Sequence, residues 1–359
     1  MTFSFTFILF AVMAAAQTLS DKLNRELPRW LRFSGEYRAR MEGFTGGGFR
    51  DGYDDGYFLN RIRINMRIET NSWMRFVFQG QDARAFDKDK IPNGPPYQDS
   101  MDLRIGYLEL GDPDSKPFSL RAGRQELVFG DQRLIGNLNW GNTVRSFDAV
   151  RAIFRCKGYR LDAFASSVVI MRDGEFGRPI AGNNFHGLYG GIEKPVPKAT
   201  IEPYVLWRLS PGNVDFKTYG LRWVGKLPAS FDYNIESAMQ RGSSGAKDLR
   251  AWAGHGLLGY TISGMSWRFI GEYNYASGNQ DPRGRMCGTF DPLYPTGHDK
   301  YGLADQVGWQ NIEDMRFGVE LRPSAKWLLV ENFHNWWLAS ANDGLYSLLT
   351  PPRQLCISL

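Results

Sequence analysis

Residues 30–44 read Trp30-Leu31-Arg32-Phe33-Ser34-Gly35-Glu36-Tyr37-Arg38-Ala39-Arg40-Met41-Glu42-Gly43-Phe44. Successive side chains of a β-strand point to opposite sides, so this stretch has two faces of opposite chemistry. Leu31, Phe33, Gly35, Tyr37, Ala39 and Met41 make one face apolar, while Arg32, Ser34, Glu36, Arg38, Arg40 and Glu42 load the other with charge. The pattern returns in four more places. Phe58, Ile62, Ile64, Met66 and Ile68 oppose Arg61, Arg63, Asn65, Arg67 and Glu69. Phe231, Tyr233, Ile235 and Met239 oppose Asp232, Asn234, Glu236 and Gln240. Trp267, Phe269, Tyr273 and Tyr275 oppose Arg268, Glu272 and Asn274, and Met315, Phe317, Val319 and Leu321 oppose Arg316, Glu320 and Arg322. Period two over about ten residues, repeated with a densely charged second face, predicts an all-β, antiparallel transmembrane β-barrel around a polar lumen.

Composition agrees with that architecture. The 359 residues exceed one ordinary soluble core but suit one large barrel. Aromatic content is 14 %, enough for girdles at both bilayer interfaces, yet mean hydropathy is only −0.38. No stretch past Leu19 approaches the roughly 20 apolar residues of a membrane-spanning helix, which excludes a helical membrane protein. The net charge of +5 comes without any Lys/Arg run, which argues against nucleic acid as a partner. Its arginines alternate along strands instead, and a basic lumen focuses anions. Cys156, Cys287 and Cys356 offer neither a CxxC pair nor metal spacing, and Cys156 reads as a small hydrophobe on an apolar face. The apolar run 3–16 ends in Ala14-Ala15-Ala16 and predicts a secretory signal peptide over 1–16, although nothing basic follows Met1.

Alternation and turn residues together predict fifteen strands: 30–43, 57–69, 73–84, 102–110, 118–127, 148–156, 159–168, 186–193, 200–208, 214–224, 230–241, 249–261, 267–277, 313–322 and 327–338. Short connections at 70–72, 111–117, 157–158, 194–199, 226–229, 262–266 and 323–326 alternate with longer ones, including 44–56, 85–101, 128–147, 169–185 and 278–312. Short periplasmic turns and long external loops are the rhythm of a bacterial outer-membrane barrel. The expected organisation is a periplasmic segment over 17–29, one barrel over 30–346, and a tail over 347–359 in which Pro351 and Pro352 break strand pairing. Because such barrels normally finish on a membrane strand, that tail predicts a C-terminally truncated barrel.

The most distinctive motif is Leu120-Arg121-Ala122-Gly123-Arg124-Gln125-Glu126-Leu127-Val128-Phe129-Gly130-Asp131-Gln132-Arg133-Leu134-Ile135-Gly136, followed by Trp140-Gly141-Asn142-Thr143 and Ser146-Phe147-Asp148-Ala149-Val150-Arg151. It resembles the alginate-export family of outer-membrane barrels, as do 288–302 and 338–346, and the resemblance covers 31–346. It implies an eighteen-strand monomeric barrel with an arginine-lined, anion-selective pore in a Gram-negative outer membrane, of which fifteen strands are visible here. The resemblance further implies passive transport of an alginate-like uronate polymer, with outer-membrane lipid around the barrel and no cofactor.

Guanidinium suits that cargo, because it binds carboxylate through a bidentate fork, and many weak sites let a polymer move without being trapped. The candidate lumen residues are Arg38, Arg40, Arg61, Arg63, Arg67, Arg124, Arg133, Arg151, Arg155 and Arg222. Each has a structural alternative, pairing with Glu36, Glu42, Glu69, Glu126 or Asp148 as a wall cross-link. A porin for small organic anions is the second reading. A membrane-embedded hydrolase or surface binding protein is a third, but His186, His255, His298 and His334 are scattered without HExxH, and no Gly-x-Ser-x-Gly elbow is present. Asp299 beside His298 makes no catalytic set, Gly46-Gly47-Gly48 precedes no helix that would make it a phosphate loop, and Asp291, Asp299 and Asp305 offer oxygen to Ca²⁺ only without a loop motif.

Overall fold

A computed structural model describes residues 16–90, 96–194 and 196–347. The signal peptide expected over 1–16 and the tail over 347–359 lie outside the described residues, apart from Ala16 and Ser347. After one helix, α1 (Ala16–Glu26), every regular element of the described chain is a strand apart from one 3-10 turn, Gly47–Phe49. The strands are β1 (Leu31–Phe44), β2 (Asp55–Asn71), β3 (Met74–Phe86), β4 (Asp99–Leu110), β5 (Phe118–Gln125), β6 (Phe147–Cys156), β7 (Tyr159–Arg172) and β8 (Glu175–Ile192). They continue as β9 (Ala199–Ser210), β10 (Val214–Lys226), β11 (Phe231–Ser244), β12 (Lys247–Thr261), β13 (Trp267–Ala276), β14 (Met286–Cys287), β15 (Ile312–Ser324) and β16 (Trp327–Trp337). They lie along one sheet in sequence order, except that the two-residue β14 pairs in parallel with β12. All fifteen expected strands are present. Two long connections differ from expectation: 169–185 is mostly strand, turning at Asp173 and Gly174 (φ 78°), and 278–312 contains β14. Val168 to Met171 on β7 are apolar in succession and 175–184 on β8 mixes polar and apolar residues, so alternation fades while the two strands stay neighbours in the sheet.

Along several strands burial is inverted relative to a soluble protein. On β2, Arg61 and Arg63 are 1 % and 4 % exposed, whereas Ile62 and Ile64 are 47 % and 56 % exposed. Tyr37 and Met41 on β1, Ile235 and Met239 on β11, and Met315 and Phe317 on β15 are exposed in the same way. Two aromatic groups bracket this apolar face. Toward the short turns lie Trp223–Tyr233 (5.7 Å between ring centroids), Phe231–Tyr260 (4.7 Å) and Trp267–Phe269 (6.4 Å). Toward the long connections Trp252 stacks on Tyr275 at 4.2 Å. From Met239 to Phe231 the band runs about 27 Å along the strand, close to the ~25 Å apolar height of an outer-membrane barrel.

The chain divides into two compact units. Among the described residues, one comprises those within 16–128, 136–152 and 165–181, the other those within 129–135, 153–164 and 182–347. In the first, α1 packs at the start of β1, where Asn24 exchanges two hydrogen bonds with the Phe33 backbone (Nδ2 to O 2.7 Å, N to Oδ1 2.8 Å) and occupies edge groups that would otherwise invite pairing. In the second, segments 129–135 and 290–296 clasp each other over the covered face. The Tyr294 amide donates to Leu134 O (2.9 Å) and the Thr296 amide to Gln132 O (2.9 Å). Beneath them Phe129 stacks on Tyr189 (4.7 Å) and Phe164 (5.6 Å), and Phe185 meets Tyr294 edge-on at 4.9 Å.

An apolar face that meets hydrocarbon makes a depth-dependent prediction. Ile64→Arg, in mid-strand, lowers the stability of the bilayer-inserted protein by about 2–4 kcal/mol, and Met41→Arg, near the strand end, by about 0–1. Urea titration in vesicles checks this; equal and small effects at both positions would contradict it.

Candidate functional site

In the first unit the covered face carries a cluster of arginines under the connection between β5 and β6. Register makes the problem plain: Arg38 lies directly across from Arg61, and Glu36 across from Arg63. Like charges facing each other are unfavourable unless something between them compensates. Glu36 does so, forming an ion pair with Arg61 and lying 3.7 Å from Arg63. Arg40 Nε lies 2.5 Å from Glu42, and Arg104 pairs with Glu126.

Backbone carbonyls supply the remaining acceptors. Arg38 donates to Asn139 O (3.0 Å) and Gly141 O (2.7 Å), Arg40 to Trp140 O (2.6 Å), and Arg61 to Gly141 O (3.2 Å). The Arg40 guanidinium also lies 4.2 Å over the Trp140 ring. Arg63 is held by Gln81 Oε1 (2.8 Å) and Asn139 Oδ1 (3.0 Å). Buried Asn142 anchors the segment, its Nδ2 within 3.0 Å of the Asn60, Arg84 and Tyr97 carbonyls. Five guanidiniums thus face three carboxylates here, with neutral carbonyls making up the difference. Arg38 Nε, Arg61 Nε and Arg63 Nη2 are buried without an acceptor among the described residues, so donor capacity is left over.

Among the second unit's candidates, Arg133 is the most enclosed. It reaches Glu272 (2.8 Å), Asn274 (3.2 Å), the Tyr301 hydroxyl (3.0 Å) and Asp131 (3.1 Å), while Arg316 takes the other Glu272 oxygen at 2.5 Å. Burial would raise the Asp131 pKa, but Arg133 and Lys300 overcome it and hold the carboxyl below its ordinary value. Arg222 bonds Glu202 (2.7 Å) and Asn234 (3.0 Å).

The other candidates are dispersed. Arg67 is exposed near the short turns beside Glu69 (3.2 Å), and Arg151 is buried and Arg155 exposed on one face of β6. Arg124 departs from the expected placing. Register sets Arg121 opposite Glu109 on the covered face and Arg124 opposite Gly106, three residues on and therefore on the apolar face, where it pairs with Asp148 at 2.8 Å. It is not a covered-face residue.

Arg104 was not foreseen. A bulge shifts the register of β3 on β4 between Gln79 and Gly80, which turns Arg104 to the covered face although it sits five residues from Glu109. The parity change was the missing signal. Of the carboxylates weighed for Ca²⁺, Asp291 pairs with Arg208, Asp299 lies 3.2 Å from Lys300, and Asp305 lies 2.9 Å from His298. Among the described residues no three His, Cys, Asp or Glu side chains are placed to hold a metal ion.

If Asn142 anchors the cover, Asn142→Ala should raise amide hydrogen exchange over 137–145 while leaving β1 to β3 protected. Unchanged protection over that segment would remove the anchor role.

The Alginate export family model matches residues 29–354. No curated protein is detectably similar in sequence. Among solved structures, a BenF-like porin from Pseudomonas fluorescens Pf-5 aligns with TM-score 0.61 at 8 % identity, covering 86 % of this chain and 82 % of that one. Pseudomonas aeruginosa OccK2 (OpdF) in complex with glucuronate gives 0.55 at 12 % identity over 81 % and 74 %. Pseudomonas aeruginosa OpdK with vanillate gives 0.54 at 10 % identity over 81 % and 76 %. At these identities the likeness is one of fold, an outer-membrane β-barrel. With the family match spanning nearly the whole chain, this protein belongs to the alginate export family and is a passive outer-membrane channel rather than an enzyme.

Proposed function

We infer that the covered face lines the lumen and that the channel passes uronate-type polyanions of the alginate class. The observation that carries this reading is the surplus of guanidinium over carboxylate at Arg38, Arg40, Arg61, Arg63 and Arg104. A uronate polymer presents one carboxylate per sugar, and each can replace a carbonyl as acceptor with a stronger, charge-assisted bond. Arginines already held by neutral carbonyls bind an incoming carboxylate weakly enough to release it, which conduction requires. Arg133 and Arg222, each matched to carboxylates, act as cross-links that hold the wall and its loops.

A second reading, passage of small organic anions, draws support from one feature. The carbonyls of 139–141 occupy the same guanidiniums, so the cover must yield before a polymer chain reaches them, whereas a small anion needs less room.

Single-channel recording separates the two readings and tests both. Wild-type protein in a KCl gradient should show an anion-selective reversal potential, and R38E/R63E should move it toward cation selectivity. Long oligouronates should block the small-anion current of the wild type and not of the variant. Block by monomeric uronate alone favours the small-anion reading. An unchanged reversal potential in the variant contradicts both.

A further inference from the structure

On the apolar face, register sets Lys217 of β10 directly beside Arg241 of β11, and Arg241 directly beside Arg250 of β12. All three are exposed, while the strand neighbours Phe216, Thr218, Gln240, Leu249 and Ala251 point the other way and are buried. Trp207 of β9 is next in the row, its ring 5.3 Å from Lys217 Nζ. One step toward the short turns, the row Tyr219, Met239 and Trp252 begins the apolar band. From there to Phe231 and Tyr260, no outward position on β10, β11 or β12 is charged. The turns 211–213 and 245–246 beside the cations are short, but they lie at the end of the sheet that carries the long connection 277–311, which is the outer-leaflet side in an outer-membrane barrel.

Such a row is unfavourable by itself, because like charges directly opposite each other across strands repel. On the covered face Glu36 answers the corresponding conflict between Arg38 and Arg61. On the outer face no ion pair involves Lys217, Arg241 or Arg250 among the described residues. The carboxylates one row further out do not close onto them, and Asp215 instead accepts from Trp207 Nε1 at 2.8 Å. Arg241 uses one nitrogen on Gln240 O (2.7 Å) and keeps the rest of its fork. The three cations are therefore open to an anion from outside the chain.

We propose that Lys217, Arg241 and Arg250 form a docking row for the phosphorylated headgroup of an outer-leaflet glycolipid. Adjacent strands are about 4.8 Å apart, so the outer two cations stand about 10 Å from each other and can bracket a phosphate on both sides. Guanidinium and ammonium donors suit phosphate oxygens, and Tyr219, Met239 and Trp252 offer the acyl chains an apolar bed directly beneath. Such docking depends on the outer-membrane location and not on what the channel transports.

Native mass spectrometry of the delipidated full chain in detergent tests it, with bis-phosphorylated lipid A, its dephosphorylated form and inorganic phosphate as probes. Wild-type protein should prefer the phosphorylated lipid by about tenfold or more, with the preference falling as salt rises. K217S/R241S/R250S should lose that preference with conductance unchanged, and K217R/R241K/R250K should keep it. Equal binding of both lipids by the wild type overturns the proposal whether or not the variants fold. So does a preference that survives in the triple serine variant, or inorganic phosphate displacing the lipid at equal concentration.

Discussion

Backbone groups in hydrocarbon must all be hydrogen-bonded within the protein, and that constraint governs everything else in this chain. In a chain of strands it calls for a continuous sheet, whose period of two then sorts side chains except where a bulge interrupts it, as at Arg104. Once Ile62 and Ile64 face outward, Arg61 and Arg63 have nowhere to go but the covered side. The density of arginine on that side is thus inseparable from the way the protein sits in its membrane. It forces Arg38 against Arg61 and calls for Glu36 to stand between them.

The covered side solves its electrostatics differently in the two units. Around Arg133, carboxylates match cations closely: Glu272 bridges Arg133 and Arg316, and Asp131 closes the remaining side. Enclosed pairs of this kind are costly to break, since removing one partner strands the other. Around Arg38 and Arg61, Glu36 answers only part of the positive charge, and carbonyls of 139–141 hydrogen-bond the rest without neutralising it. The first arrangement leaves each cation a carboxylate partner, and the second leaves guanidiniums on neutral acceptors.

Much of this was legible in the sequence, and the failures have specific causes. Strand positions followed from alternation because lipid on one side and charge on the other leave almost no freedom. Four of the five carboxylates weighed as wall partners meet candidate arginines, Glu36 with Arg61, Glu42 with Arg40, Glu69 with Arg67 and Asp148 with Arg124, while Glu126 takes Arg104 instead. Which side of the sheet Arg124 takes was not readable, because its motif runs Arg-Ala-Gly-Arg and the two arginines differ in parity. Arg104 was hidden by a bulge that no local residue advertises. The largest omission was the carbonyl cover over Arg38 and Arg61. Contacts made by backbone atoms a hundred residues away leave no side-chain signature.

The central claim is that apolar side chains meet lipid while the alternating guanidiniums face away from it. Single nitroxide labels at positions 61 to 65 of the reconstituted protein measure this directly through collisions with oxygen and with a water-soluble nickel chelate. The account predicts oxygen accessibility peaking at 62 and 64 and low values at 61, 63 and 65, a strict period of two. Accessibility without that alternation, or with its peaks at 61 and 63, would contradict it.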